Sequence, residues 1–288
     1  MHSLKCFNKA DIIKILAVAV LVFIILSAIY VGTNHPSEGP PSVVKPTTLL
    51  VVGSTTLLPV IDVLANHYMM EHSNVDIRIS GGGSGVGVIA VTSGTANIGM
   101  LSRPLKPSEK EGHNLREYVI GRDGIAIINH PSNGVSALTL AQVRDIYQGK
   151  ITNWKEIGGT DTDIVIIGRD SVSGTREFFT EFVLNNENAT KTMQELNSNG
   201  AVQKSVSQTP GAIGYVSLEY VDHTVKALII DDVSPSVATV IDGTYKITRP
   251  LILITNGEPT GLAKSFLEFI LSDVGQKIIS DNGFVPIA

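Results

Sequence analysis

The sequence predicts an α/β protein, because short apolar runs that end at glycine alternate with segments of helical periodicity. The runs Thr48–Val52 and Val75–Ile79 are typical of buried strands. Between them, Leu58–Glu71 carries apolar residues at helical spacing. A strand, a helix and a second strand at this spacing require parallel pairing. We therefore expect a mainly parallel sheet with helices on its faces.

The same alternation continues along the rest of the chain. Further strands are predicted at Asn97–Leu101, Gly124–Asn129, Asp163–Ile167 and Leu251–Thr255, and the last residues, Gly283–Ile287, are expected to be extended. Further helices are predicted at Val86–Thr92, Leu140–Gln148, Thr175–Leu184 and, as one long amphipathic helix, Leu262–Ile279. We expect Phe178, Phe179 and Phe182 to pack in the core. About 240 residues follow Thr48, which favours two lobes over one.

Composition excludes several classes of protein. The chain has 288 residues, of which 43% are hydrophobic and 17% charged, and its formal net charge is -5. These values argue against disorder and against a polybasic nucleic-acid binder. A single cysteine excludes a disulfide framework and a four-cysteine zinc site. The seven histidines lack metal-ligand spacing, so we expect neither a metal nor another cofactor.

The first segment, residues 1–31, is predicted to be a membrane helix. Ile15–Val31 carries no charge and, with Ile12 and Ile13, approaches the ~20 residues that span a bilayer. Three lysines and one acid precede it, namely Lys5, Lys9, Lys14 and Asp11. This asymmetry places the N-terminus in the cytoplasm and the remainder outside. A buried core helix is the alternative, although such a helix usually has a polar face.

The same segment is expected to be retained as an anchor. It is longer than the usual apolar region of a signal peptide and lacks a well-formed cleavage site. No cysteine follows it for lipid attachment, because Cys6 precedes it. Cleavage, which would leave a secreted or periplasmic protein, stays open. Residues 32–47 are rich in Pro, Gly and Ser and are predicted to tether the folded part to the membrane.

Small and hydroxyl-bearing residues follow four of the predicted strands. The four loops are Gly53–Thr56, Gly81–Gly87, Ser102–Pro104 and Gly168–Thr175, and three of them lead into a helix. Open α/β sheets bind ligands at the carboxyl ends of their strands. Helix N-termini offer unpaired N–H groups to anions, and glycine lets the backbone approach. With Arg103 and Arg169 as charged donors, the loops predict a compact oxyanion site.

Each loop alone has a simpler interpretation. Ser54 or Thr55 can be an ordinary helix cap. The glycine-rich second loop can be a flexible turn, and it matches neither a dinucleotide fingerprint nor a P-loop. Arg169 and Asp170 can form an ordinary ion pair. The four loops together favour a binding site over these alternatives.

Several longer segments resemble one known family. They are VVGSTTLLPV, ISGGGSGVGV, IGMLSRPL, QGKITNWKEIGG, GRDSVSGTREFF, TPGAIGYV, RPLILITNGEPTG and GQKIISDNGFVPI. In this order they resemble the phosphate-binding proteins of bacterial and archaeal ABC phosphate importers, the PstS family, from about Thr48 to the C-terminus. The resemblance implies a type II periplasmic-binding-protein fold, in which two lobes close on the ligand by a hinge. It also implies an extracytoplasmic, monomeric receptor that delivers inorganic phosphate to permease subunits and their ATPase.

The family motifs also imply a set of binding residues. Carried over by position, the phosphate contacts are Ser54, Thr55, Thr56, Ser84, Ser102, Arg103, Arg169, Ser173, Gly174 and Thr175. Arg169 begins the family's R-x-x-x-S-G-T and is the expected charged clamp. Arg103 either contacts the ligand or braces its loop, with Asp170 a candidate partner, and Arg176 is expected to brace.

Ser102 departs from the family pattern. The best-known members carry an Asp there that accepts a hydrogen bond from protonated phosphate. A hydroxyl can donate as well as accept, whereas an ionised carboxylate only accepts and repels a fully ionised anion. Discrimination against sulfate is therefore an open question for this chain.

The remaining expectations concern lobes and competing functions. Lobe one is predicted to comprise residues 48–131 and 236–288, and lobe two residues 132–235. Binding of molybdate, tungstate or sulfate, and a phosphate sensor without import, are alternatives. A serine phosphatase is disfavoured, because Ser84 lies in a segment that misses G-x-S-x-G and no histidine is placed to activate it. Glycosylation at Asn188 is open. No catalytic residue is assigned.

Overall fold

The structure is a computed structural model that describes residues 8–33 and 46–287. The chain divides into two compact units, Met1–Lys45 and Pro46–Ala288. The first unit contains helix α1, Lys9–Thr33. Among the described residues, no helix is long and apolar enough to cross a membrane. Most of the predicted tether lies outside the described residues. Lys5 and Cys6, which precede α1, lie outside them as well.

The second unit alternates strands and helices, as the sequence predicts. Its strands are β1 Thr47–Gly53, β2 Val75–Ser80, β3 Ile98–Leu101, β4 Leu115–Asn129, β5 Ala137–Leu138, β6 Val165–Arg169, β7 Gln194–Leu196, β8 Ala212–Ser217, β9 Lys226–Ala227, β10 Ile229–Ile230, β11 Thr248–Asn256 and β12 Val285–Pro286. Its helices are α2 Leu58–Glu71, α3 Ser84–Thr92, α4 Pro107–Lys110, α5 Leu140–Tyr147, α6 Gly174–Phe182, α7 Asn199–Gln208, α8 Val237–Ile241, α9 Gly261–Leu271 and α10 Asp273–Asp281. Two 3-10 helices, Trp154–Ile157 and Leu218–Tyr220, complete the set.

The main sheet has the strand order β2-β1-β3-β11-β4-β8-β6-β7. Pairing is parallel at both ends, where β1 lies between β2 and β3 and β6 lies between β8 and β7. In the middle, β11 is antiparallel to β3 and β4, and β4 is antiparallel to β8. The sheet is therefore mixed rather than mainly parallel, because β11 and β4 are antiparallel to each other and to their outer neighbours β3 and β8.

Strand β4 belongs to both halves of this sheet. Its first part, Leu115–Gly124, pairs with β11, and its second part, Ile125–Asn129, pairs with β8. One core cluster packs around β1, β3 and the helices α2 and α9, and another packs around Trp154, Tyr147 and Tyr215. The result is two α/β lobes joined through the central strands. The boundaries of the lobes along the chain stay a prediction.

The local patterns predicted most elements closely and one wrongly. Leu58–Glu71 is a helix over the predicted residues. Phe179 is buried and Phe178 and Phe182 pack against the same cluster, which confirms their core role. The predicted helix Leu262–Ile279 is instead two helices. Its periodicity continues across Ser272, but that residue has extended backbone and its Oγ accepts a hydrogen bond from the N–H of Gly275, so it caps α10.

Candidate functional site

The first three loops meet at the carboxyl ends of β1, β2 and β3. Ser54, Ser84 and Ser102 are all buried. The Oγ of Ser54 donates to the Oγ of Ser102 over 2.9 Å, and the Oγ of Ser84 lies 3.5 Å from it. The backbone N–H of Ser102 donates to the Oγ of Ser84 over 3.1 Å. The parallel pairing of three strands thus brings three hydroxyls from three loops together.

The fourth loop reaches the same point from the other lobe. The Oγ1 of Thr175, at the start of α6, lies 3.5 Å from the Oγ1 of Thr56. At Gly174 a Cβ atom would lie only 2.1 Å from the Oγ of Ser84, so this position requires glycine. Ser173 caps α6, because its Oγ accepts from the N–H of Arg176 over 3.3 Å.

Two side chains of the second lobe hold Thr55 and Thr56 in place. The Nδ2 of Asn199 donates to the Oγ1 of Thr55 over 3.2 Å and to the Oγ1 of Thr56 over 3.1 Å. The hydroxyl of Tyr220 donates to the backbone carbonyl of Thr55. The first loop is therefore hydrogen-bonded to the second lobe across the cleft.

A buried ion pair lies beneath the hydroxyl groups. The guanidinium of Arg249, on β11, donates from Nε and Nη2 to the Oδ2 of Asp123, on β4, over 3.0 and 2.8 Å. The Oγ of Ser217 donates to the Oδ1 of the same carboxylate over 2.8 Å. Burial raises the pKa of Asp123, and the charge of Arg249 opposes that rise. The antiparallel register of β4 and β11, which places Arg249 opposite Asp123, builds this pair.

Arg249 also reaches three of the predicted binding residues. Its Nη1 donates to the Oγ1 of Thr175 over 2.7 Å and to the Oγ of Ser102 over 3.2 Å. Its Nη2 donates to the Oγ1 of Thr56 over 2.9 Å. One guanidinium thus links hydroxyls from the first, third and fourth loops.

Arg169, the predicted charged clamp, has other partners in this structure. Its Nε and Nη2 donate to the backbone carbonyls of Leu196 and Asn197, each over 3.2 Å. Burial lowers the pKa of its guanidinium to about 10. Arg176 donates to the carbonyl of Arg169 over 2.9 Å and pairs with Glu195. Both arginines therefore brace the fourth loop.

Arg103 braces the third loop. Its Nη1 and Nη2 donate to the two carboxylate oxygens of Glu109 over 2.8 and 2.7 Å. Its Nε contacts the carboxylate of Glu177, on α6. Asp170, the partner considered from sequence, donates its own backbone N–H to the carbonyl of Leu196. Of the two roles expected for Arg103, this geometry corresponds to bracing.

Sequence reasoning missed four residues of this site: Asp123, Asn199, Tyr220 and Arg249. A usable signal existed for two of them. Asp123 and Arg249 are charged residues next to apolar strand segments, and a buried charge needs a partner of opposite sign. Asn199 and Tyr220 lack a comparable signal, because their partners in the first loop lie far away along the chain.

The assembled site concentrates hydrogen-bonding groups at one place between the lobes. Hydroxyl groups, one amide side chain and one guanidinium converge there, and the described residues contain no cluster of metal ligands. Such an arrangement suits an oxyanion, whose oxygen atoms accept hydrogen bonds. The dense donor set leaves little apolar surface for an organic ligand.

Comparison with known proteins identifies the family. The PBP superfamily domain matches residues 39–274. The phosphate-binding protein PstS of Bacillus subtilis is 36% identical over 245 residues, which cover 83% of this chain and 81% of that protein. The chain belongs to the PstS family.

Solved structures agree with this assignment of the chain to the PstS family. A phosphate ABC transporter substrate-binding protein from Clostridium perfringens, solved with bound phosphate, is 39% identical with a TM-score of 0.81, and the match covers 84% of this chain and 100% of that one. An ABC-type phosphate transport receptor from Vibrio cholerae is 31% identical with a TM-score of 0.70, over 83% and 100% of the two chains. The two-lobed α/β fold expected from the sequence is thus confirmed. These relatives are binding proteins and receptors, in line with the expectation that this chain is not an enzyme.

Proposed function

We propose that this chain is an extracytoplasmic receptor that binds inorganic phosphate and delivers it to an ABC importer. The observation that carries the proposal is the convergence of buried hydroxyls from four strand-end loops on one point between the lobes. Membership of the PstS family, and the phosphate bound to the Clostridium perfringens relative, support the choice of ligand.

The proposed binding residues are those whose small side chains or backbone line this point. They are Ser54, Thr55, Thr56, Ser84, Ser102, Ser173, Gly174 and Thr175. Arg103 and Arg169 are proposed to hold the third and fourth loops in position, since their guanidinium groups are occupied by carboxylates and carbonyls. Bound phosphate would accept hydrogen bonds from the hydroxyls and from N–H groups at the start of α3 and α6.

Membrane attachment is a separate part of the proposal. Ile15–Val31 carries no charged residue, and the large apolar side chains described on α1 are 48 to 75% exposed. A large exposed apolar surface marks an interaction site, and the hydrocarbon of a bilayer can cover such a surface. We propose that α1 anchors a monomeric receptor whose binding unit lies outside the cytoplasm and meets the permease subunits, which in turn work with their ATPase.

Isothermal titration of the purified full chain in mild detergent tests the ligand. Phosphate, arsenate, sulfate and molybdate are each titrated, and Ser84→Ala and Thr175→Val are compared with the unchanged protein. Phosphate binding that both substitutions weaken supports the proposal. A folded protein that binds molybdate or sulfate but not phosphate overturns the choice of ligand. Failure to bind any of the four anions overturns the receptor function.

A further inference from the structure

Three buried arginines lie close to the binding loops, and they differ in what they touch. Arg103 pairs with carboxylates and Arg169 donates to backbone carbonyls. Among the described residues, Arg249 is the arginine whose guanidinium donates to the proposed phosphate-binding hydroxyls. Its side chain is 0% exposed, so its charge acts in a region from which water is excluded.

The contact with Thr56 shows what Arg249 does to a hydroxyl group. The Oγ1 of Thr56 accepts from Arg249 Nη2 over 2.9 Å and from Asn199 Nδ2 over 3.1 Å. A hydroxyl oxygen has two lone pairs and one hydrogen. Because both lone pairs are used from the protein side, the hydrogen of Thr56 is left to donate to a ligand. The Oγ1 of Thr175 likewise accepts a hydrogen bond from Arg249 Nη1 over 2.7 Å.

Asp123 fixes the orientation of this guanidinium. It accepts from Nε and Nη2 on one edge, while Nη1 and the other hydrogen of Nη2 face the hydroxyl groups. The ion pair is thus a dipole whose positive end points at the proposed site. Ser217 holds the carboxylate in turn, through a hydrogen bond of 2.8 Å.

We infer that Arg249 supplies the positive charge of the phosphate site and acts as a positioning residue that sets Thr56, Ser102 and Thr175 as hydrogen-bond donors. This inference rests on the proposed function. It gives Arg249, rather than the arginine of R-x-x-x-S-G-T, the electrostatic part of binding. It also gives Ser102 a donor role where the family's Asp accepts, because a hydroxyl that accepts from Arg249 can donate to the anion.

The test is titration of the full chain with inorganic phosphate after single substitutions. Arg249→Gln removes the charge, and we expect it to weaken binding ~10- to 100-fold, as for loss of hydrogen bonds to a charged group. Arg249→Lys keeps the charge but lacks the planar guanidinium with its several donors, and it should recover part of the lost affinity. Arg169→Gln should weaken binding less than Arg249→Gln. Arg116→Gln, a change at an exposed arginine paired with Glu258, is the control for removing a cation elsewhere.

The outcomes separate this inference from the proposed function. If the unchanged protein binds no phosphate, the proposed function is wrong. If it binds phosphate and folded Arg249→Gln keeps that affinity, or if Arg249→Lys recovers nothing, the inference is wrong and the function stands. Arg249→Gln leaves Asp123 buried without its partner and can fail to fold. The double variant Asp123→Asn/Arg249→Gln then replaces it, and wild-type affinity in that variant overturns the inference equally.

Discussion

The hydroxyl of Tyr220 donates a hydrogen bond of 2.8 Å to the backbone carbonyl of Thr55. Tyr220 follows β8 in the second lobe, and Thr55 follows β1 in the first, so this bond crosses the cleft. With the hydrogen bonds from Asn199 to Thr55 and Thr56, it ties the first binding loop to the opposite lobe. The closed arrangement of the lobes therefore depends in part on bonds that do not involve a ligand.

We expect Tyr220→Phe to speed the release of phosphate. The substitution removes one neutral hydrogen bond between the lobes, and such a bond contributes about 0.5–1.5 kcal/mol. Affinity should fall by roughly 2- to 10-fold, and stopped-flow displacement should show the change mainly in the dissociation rate. The matched control is Tyr118→Phe, because Tyr118 packs against the core cluster of the first lobe. An unchanged dissociation rate in Tyr220→Phe would contradict a role for this hydrogen bond in holding the lobes together.

Gly83 is predicted to tolerate no side chain while the lobes are closed. Its φ is +101°, and a Cβ atom there would lie 2.5 Å from the carbonyl oxygen of Val172 in the fourth loop. Gly83→Ala should therefore weaken phosphate binding by ~10-fold or more, because the lobes must separate to make room. Gly94→Ala is the control for backbone strain without a clash, since Gly94 has φ +71° with open space around it. Equal phosphate affinity in the two variants would argue against a clash across the cleft.

Glu177 offers a charged contact between the third loop and α6. It contacts the guanidinium of Arg103, and its Oε2 lies 3.0 Å from the Nζ of Lys106. Glu177→Gln should lower phosphate affinity by roughly 3- to 10-fold, since partly buried ion pairs contribute more than exposed ones. The effect should shrink at high salt. The control is Glu181→Gln on the same helix, at an exposed position, and a loss as large in this variant would show that Glu177 has no special role.

Glu219 should make stability depend on pH. Burial, and then the nearby charge of Asp123, raise the pKa of this carboxyl from 4.5 to about 8. Between these values the folded protein keeps the proton that the unfolded chain releases, so the free energy of unfolding falls as pH rises through that window. Glu219→Gln should flatten this fall, as measured by urea unfolding at about pH 5 and about pH 8.5. Glu111→Gln, at an exposed carboxylate, should leave the fall as it is in the unchanged protein.

The sequence predicted those features of the fold that depend on neighbours along the chain. Periodicity located α2 and the parallel strands β1 and β2, because their apolar faces are local patterns. It did not reveal that β11 pairs with β3 and β4, since that pairing joins residues far apart in the chain. The break at Ser272 was missed because apolar spacing continues through it, although a serine followed by an acid is a common helix start.

The same limit applies to the site. Hydroxyls at strand ends were predicted together because parallel strands deliver their carboxyl ends to one edge. Which arginine faces those hydroxyls depends on side-chain direction across the cleft. The motif favoured Arg169, whereas the structure places the guanidinium of Arg249 against Thr56 and Thr175.

The pairing of β11 with β3 has a consequence for synthesis on the ribosome. Strands β1 to β3 leave the ribosome before β4 to β8, but β11, Thr248–Asn256, which pairs with β3, is translated after all of them. The strands around Trp154 and Tyr215, from Ile125–Asn129 of β4 to β8, are complete well before that. We therefore expect the second lobe to finish its sheet first, leaving the edge of β3 unpaired in the nascent protein until β11 has left the ribosome.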